Sequence, residues 1–157
     1  MTTLTTTKPE LRTIRAQPIA MIPITTTMSG IPDELGSAYQ ELGSAIREVG
    51  VEIVGPPFAR YLQIGPDTVR LEAGFPVARP FSVGGRIAMS TLPKGDVAVV
   101  MHVGPCDRME TTYAALSTWV AERGREPAGA PWEVYLSDPA AEPNPETWRT
   151  EVFLPLR

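Results

Sequence analysis

The chain has 157 residues, 43% of them hydrophobic, which suits one compact core and is short for two ordinary domains. A formal net charge of -4 and a pI near 5.0, with no Lys/Arg cluster, argue against direct nucleic-acid binding, and no apolar run is long enough to span a membrane. One cysteine, Cys106, and one histidine, His102, exclude an internal disulfide and leave too few ligands for the usual zinc sites, so no metal and no cofactor is expected.

In chain order, residues 1–10 are Thr-rich and without periodicity, and are expected to form a flexible tail that lacks signal-peptide character; a cytoplasmic protein is expected. IAMIPIT then reads as a strand. Leu35, Tyr39, Leu42, Ile46 and Val49 recur at helical spacing, with Gly50 as the stop. PFARYLQI, TVRLEAGF and RIAMSTL read as three further strands, and the turn LPKGD, Leu92 to Asp96, as a hairpin into VAVVMHV. Met109, Tyr113, Leu116 and Val120 predict a second helix, opened by a capping box of Asp107 and Glu110 and stopped at Gly124. WEVYLS and TEVFLPL close the chain as strands.

The chain carries an internal repeat. Residues 39–62 align without a gap on residues 113–136, pairing Tyr39 with Tyr113, Gly50 with Gly124, Pro57 with Pro131 and Tyr61 with Tyr135. VRLEAGFPV matches WRTEVFLPL beyond a loop five residues longer, and AMIPITTTMSG matches AVVMHVGPC more loosely. The fold class expected is α+β: duplicated strand-helix-strand-strand modules, about 11–91 and 96–157 within a single domain 11–157. A pseudo-two-fold axis relates them, with an antiparallel sheet, two helices on one side and a ligand groove on the other.

Strand alternation puts Trp132, Val134 and Leu136 on one face and Glu133 with Tyr135 on the other. The apolar set is expected under the helices, with Glu133 and Tyr135 facing away from them. Glu133 stands where the first copy has Ala59, which singles it out. A groove lined by Tyr61, Tyr135, Phe75, Phe153, Glu133 and Glu151 has the mostly apolar composition of a small-molecule site. The bland alternative for Glu72 and Glu151 is pairing with Arg70, Arg149 or a cross-strand partner. Trp119 flanks the helical stripe as packing or as a ligand contact. Trp132 and Phe58 are expected in the core; Cys106 is expected to be a small semi-buried side chain, and a catalytic dyad with His102 has no motif behind it.

The run LPKGDVAVVMHVGPCDRMETTYAALSTWV, then GAPWEVYLSDP and TEVFLPL, with GPPFARYL and LEAGFPV earlier, resembles the GyrI-like small-molecule-binding domain from about Arg12 to Leu156. This is the effector-binding module of multidrug-responsive regulators of the MerR and AraC classes, found also as free-standing proteins. The resemblance implies a site for flat, hydrophobic, often cationic compounds, with Glu133 as the acidic residue of the WEVY strand and Tyr61 as a second wall. Cys106 stands where many relatives have an aromatic residue. The first function implied is a stand-alone protein that senses or sequesters such compounds. A second is a cofactor-free hydrolase that opens the cyclopropane of DNA-alkylating natural products, with Glu133 and Tyr135 (or Tyr61) catalytic. A third is a gyrase-inhibitor-like protein partner.

Overall fold

The computed structural model describes residues 7–105, 108–137 and 141–157. In chain order its main elements are β1 (Glu10–Ile14), β2 (Gln17–Thr26), α1 (Ile31–Val49), β3 (Phe58–Ile64), β4 (Val69–Pro76), β5 (Ala88–Leu92), β6 (Gly95–Val103), α2 (Met109–Glu122), β7 (Trp132–Tyr135) and β8 (Arg149–Pro155). The fold is α+β, with antiparallel strands and two long helices. Among the described residues, no helix is long and apolar enough to cross a membrane.

The chain forms two compact units. One, Arg15–Lys94, holds α1 and the strand order β3-β4-β2-β5. The other, Gly95–Arg157 with the N-terminal segment through Ile14, holds α2 and the order β7-β8-β6-β1. Within each unit the last strand of the repeat lies between the other two, so the repeat found in the sequence is also a repeat of topology.

Two expectations about connectivity change. The LPKGD turn does not make a hairpin: β5 pairs with β2, Leu92 opposite Gln17, whereas β6 pairs with β1 and β8, Asp96 opposite Thr13. Pro93 offers no N–H to a hairpin ladder, and Gly95, at φ 123°, starts β6 in the other unit. The second change is β1 itself, a strand absent from the sequence reading. Residues 1–6 of the expected tail lie outside the described residues, but Thr7 donates its N–H to the carbonyl of Met101 at 3.0 Å, and Glu10 already pairs with Val99. Its side chains are almost all exposed, which is why no apolar alternation announced it.

α1 follows its sequence signals. Pro32 and the acidic Asp33 and Glu34 occupy the first turn, and Gly50, at φ 80°, closes the helix by donating to the carbonyls of Ile46 and Arg47. Its buried face is Ala38, Leu42, Gly43 and Ile46. α2 has Arg108 at its N-cap without a side-chain bond, and Asp107, expected to cap it, lies outside the described residues, as does Cys106. Gly124, at φ 67°, and the N–H of Arg125 bonded to Val120 end this helix. Beneath α2, Ala98, Val100, Val152, Leu154 and Leu156 pack against Met109, Leu116 and Val120.

β3 carries a bulge between Tyr61 and Gln63, so Leu62 is the extra residue and turns outward. The matching residue of the second unit, Leu136, also falls just past the regular strand and is equally exposed.

Candidate functional site

Pairing across the second unit fixes which side chains share a face. Glu133 lies opposite Val152, and Val152 opposite Val100; Tyr135 lies opposite Thr150, and Thr150 opposite His102. Val100 and Val152 belong to the core under α2, so Glu133 and Tyr135 point toward that helix. This corrects the expected orientation. Trp132 sits on the other face, stacked flat on its cross-strand partner Phe153 with ring centroids 5.4 Å apart and 3° between planes. The charge can lie beneath a helix because the helix supplies a donor. Tyr113 of α2 donates to Glu133 Oε2 at 2.6 Å, and Tyr135 donates to Oε1 at 2.9 Å.

Both carboxylate oxygens therefore accept a phenolic hydrogen bond, and Glu133 is only 6% exposed. Burial pushes its pKa above the ordinary value, while the bonds from Tyr113 and Tyr135 pull it back down. The direction is that of a desolvated carboxylate.

A second polar contact lies in the adjoining row. His102 is fully buried, with Nε2 2.9 Å from the carbonyl oxygen of Pro105 and Nδ1 2.6 Å from Thr112 Oγ1. A carbonyl can only accept, so Nε2 carries a proton, and in the neutral ring Nδ1 accepts from the Thr112 hydroxyl.

Among the described residues the buried polar or charged side chains are His102, Thr112, Glu133 and Thr150, all in the unit that holds α2. The repeat gives each an equivalent in the other unit: Ile24 for His102, Ala38 for Thr112, Ala59 for Glu133 and Leu71 for Thr150. The pairings agree, because Ile24 lies opposite Leu71 and Leu71 opposite Tyr61, as His102 lies opposite Thr150 and Thr150 opposite Tyr135. All four equivalents are buried and apolar. The same backbone thus closes over an apolar core in one unit and a polar group in the other. The other unit folds without this polar set, which makes it the candidate site.

The remaining expected residues each have contacts of their own. Glu151 lies opposite Val134, on the face away from Glu133, with Arg12 Nη2 at 3.2 Å. Glu72 pairs with its cross-strand neighbour Arg60 at 2.6 Å. Phe153 is engaged with Trp132. Phe75 and Tyr61 belong to the other unit, where Phe75 meets Tyr39 of α1 edge to face at 5.6 Å. Trp119 lies under the guanidinium of Arg123, 4.1 Å from the ring centroid, and its buried Nε1 has no hydrogen-bond partner among the described residues. The residue missed by sequence reasoning is Tyr113. Its signal was present in the repeat: a tyrosine recurs in both apolar stripes, and a buried phenol needs a partner for its hydroxyl. Tyr39 uses the backbone carbonyl of Phe58 at 2.7 Å; Tyr113 uses the carboxylate.

Several solved structures resemble the chain. The C-terminal domain of EcmrR aligns with a TM-score of 0.83 at 18% identity, covering 95% of this chain and 96% of that one. In an EcmrR–DNA complex the match covers 98% of this chain and 58% of that chain, so this chain spans little more than half the length of the EcmrR chain in that complex. A hydrolase from Listeria innocua encoded by lin2189 aligns with a TM-score of 0.72 at 18% identity, over 96% and 92% of the two chains. SAV2435, solved bound to tetraphenylphosphonium, gives 0.67 at 11% identity, over 96% and 94%. At these identities the likeness is one of fold. No curated protein sequence matches. The sequence model of the GyrI-like small molecule binding domain matches residues 7–157, nearly the whole chain, and the chain belongs to that family.

Proposed function

We propose that this protein senses or sequesters hydrophobic, aromatic, often cationic compounds, with Glu133 as the counter-charge. The observation that carries this reading is the buried Glu133 carboxylate held between Tyr113 and Tyr135, at a position where the repeat has Ala59. A buried anion is costly, and a cation brought beside it recovers part of that cost. The half-buried Tyr113 and Tyr135 present ring faces that attract the same cation, and the apolar surroundings favour a large organic ion over a hydrated metal. The aromatic cation bound by SAV2435, a protein of like fold, supports this choice. The test is fluorescence titration of wild type and Glu133→Gln with a rhodamine-type cation and a neutral dye of similar size. The expected result is loss of the cation alone in the variant. Equal binding of the cation by both proteins would overturn the assignment of Glu133.

The same three side chains support a second reading, a cofactor-free hydrolase acting on a strained cyclopropane. Glu133, with its raised pKa, would take a proton from the attacking water, and Tyr135, giving up its bond to the carboxylate as that is neutralised, would turn its hydroxyl proton to the developing phenolate. The fold likeness to the Listeria innocua hydrolase adds support. Turnover lost in Glu133→Gln and kept in Glu151→Gln is the expected outcome; absence of turnover by wild type removes the reading for that substrate.

A further inference from the structure

His102 lies outside the proposed ligand contacts, yet it occupies a mechanically specific place. It projects from β6 and ties together two points on the chain entering α2: the carbonyl of Pro105, in the turn before the helix, and the hydroxyl of Thr112, in the helix itself. Thr112 immediately precedes Tyr113, whose hydroxyl reaches Glu133. Both His102 and Thr112 are fully buried, so water does not compete for these bonds.

The other unit shows the fold without this tie. Ile24 and Ala38 occupy the equivalent positions, α1 packs on its strands through apolar contacts, and Tyr39 spends its hydroxyl on a main-chain carbonyl. In the second unit the 2.6 Å bond to Glu133 requires the phenol to be placed closely, and the His102 contacts meet the helix one residue away.

We infer that His102, acting through Thr112 and Pro105, is a positioning residue that seats the start of α2 so that Tyr113 is held on Glu133. For its effect on ligand binding this inference rests on the reading of Glu133 as counter-charge; for the geometry it does not. The local chemistry is suited to the role, since an imidazole ring is rigid and its two nitrogens can hold two separate partners at once.

The test uses the substitutions that the protein already tolerates in its other unit. The double variant His102→Ile with Thr112→Ala copies Ile24 and Ala38, so it keeps an apolar, foldable core while removing the tie. The titration of Glu133 is followed by carboxyl carbon NMR in wild type, in this double variant, in Tyr113→Phe and in the triple combination. The expected result is an upward shift in the double variant comparable to that in Tyr113→Phe, with little further change when the two are combined. Rhodamine-type cation affinity should fall by about 10-fold in each and not multiply in the triple variant. A Glu133 titration in the double variant identical to wild type, or shifts that add in full, would overturn the inference. If wild type binds no cation the function proposed above fails, while the NMR comparison still decides the role of His102. Should the double variant fail to fold, Thr112→Val, which keeps the shape and removes the hydroxyl, supplies the same comparison.

Discussion

Tyr39 and Tyr113 occupy the same place in the two copies of the repeat and differ in what they bond, which makes them a matched pair for a quantitative prediction. Tyr113→Phe removes a 2.6 Å bond to a buried carboxylate; Tyr39→Phe removes a 2.7 Å bond to a main-chain carbonyl. A bond to a charged group contributes about 1.5–3 kcal/mol and a neutral one about 0.5–1.5 kcal/mol. In a chain of this size each kcal/mol is worth roughly 2–4 °C in Tm. At about pH 8 Tyr113→Phe should therefore lower Tm by roughly 3–12 °C and Tyr39→Phe by roughly 1–6 °C. The pH dependence separates them more cleanly. The Glu133 pKa is raised in the folded protein by burial, so the charged carboxylate costs stability above that pKa, and the cost disappears below the unfolded value. Tyr113 opposes the shift by stabilising the charged form. Its contribution is complete while Glu133 is ionised in the native state and declines as pH falls through the native pKa. At about pH 4 the effect of Tyr113→Phe should shrink to that of a neutral bond, whereas that of Tyr39→Phe should hold constant. Thermal or urea unfolding across this range measures both. Parallel pH profiles for the two variants would refute the charged-pair reasoning.

Two glycines give stability predictions of opposite sign. Gly36 lies on the exposed side of α1 with nothing within 4 Å of an added Cβ, so Gly36→Ala should stabilise by about 0.5–1 kcal/mol, a rise in Tm of roughly 1–4 °C by calorimetry. At Gly74 an added Cβ would lie 2.7 Å from Phe58 Cζ and 2.8 Å from the carbonyl oxygen of Ala20. Gly74→Ala should cost about 1–3 kcal/mol, and an unchanged urea midpoint would show that β2 and Phe58 yield more easily than their packing indicates.

The duplication, both helices and seven of the strands were legible in the sequence because each is written as apolar periodicity with glycine and proline punctuation. β1 was not, since an exposed edge strand has no buried alternation to reveal it. The fate of the LPKGD turn was equally hidden: local turn chemistry gives a reversal but not the partner of each strand, and here β5 and β6 go to different partners. At the site, the oddity of Glu133 was readable from the broken repeat, but its direction was not. Alternation groups Glu133 with Tyr135 and leaves open which face the helix covers; polarity suggested the open face, and a hydroxyl from α2 reversed that choice. Glu151 shows the converse, a carboxylate of the same chemical type whose nearby Arg12 comes from the strand that periodicity did not register.

The pairing of β1 with β6 also sets an order of events during synthesis. Everything the first unit needs, β2 through β5 with α1, has been made once Lys94 has emerged, so that unit can fold while the rest is still being translated. β1 is made before any of it but finds its partner only after Gly95. At ~5–20 residues per second it waits roughly 4–16 s with its edge unpaired. Its charged and polar Glu10, Arg12 and Thr13 then serve a second purpose, keeping an unattended strand in water until β6 arrives.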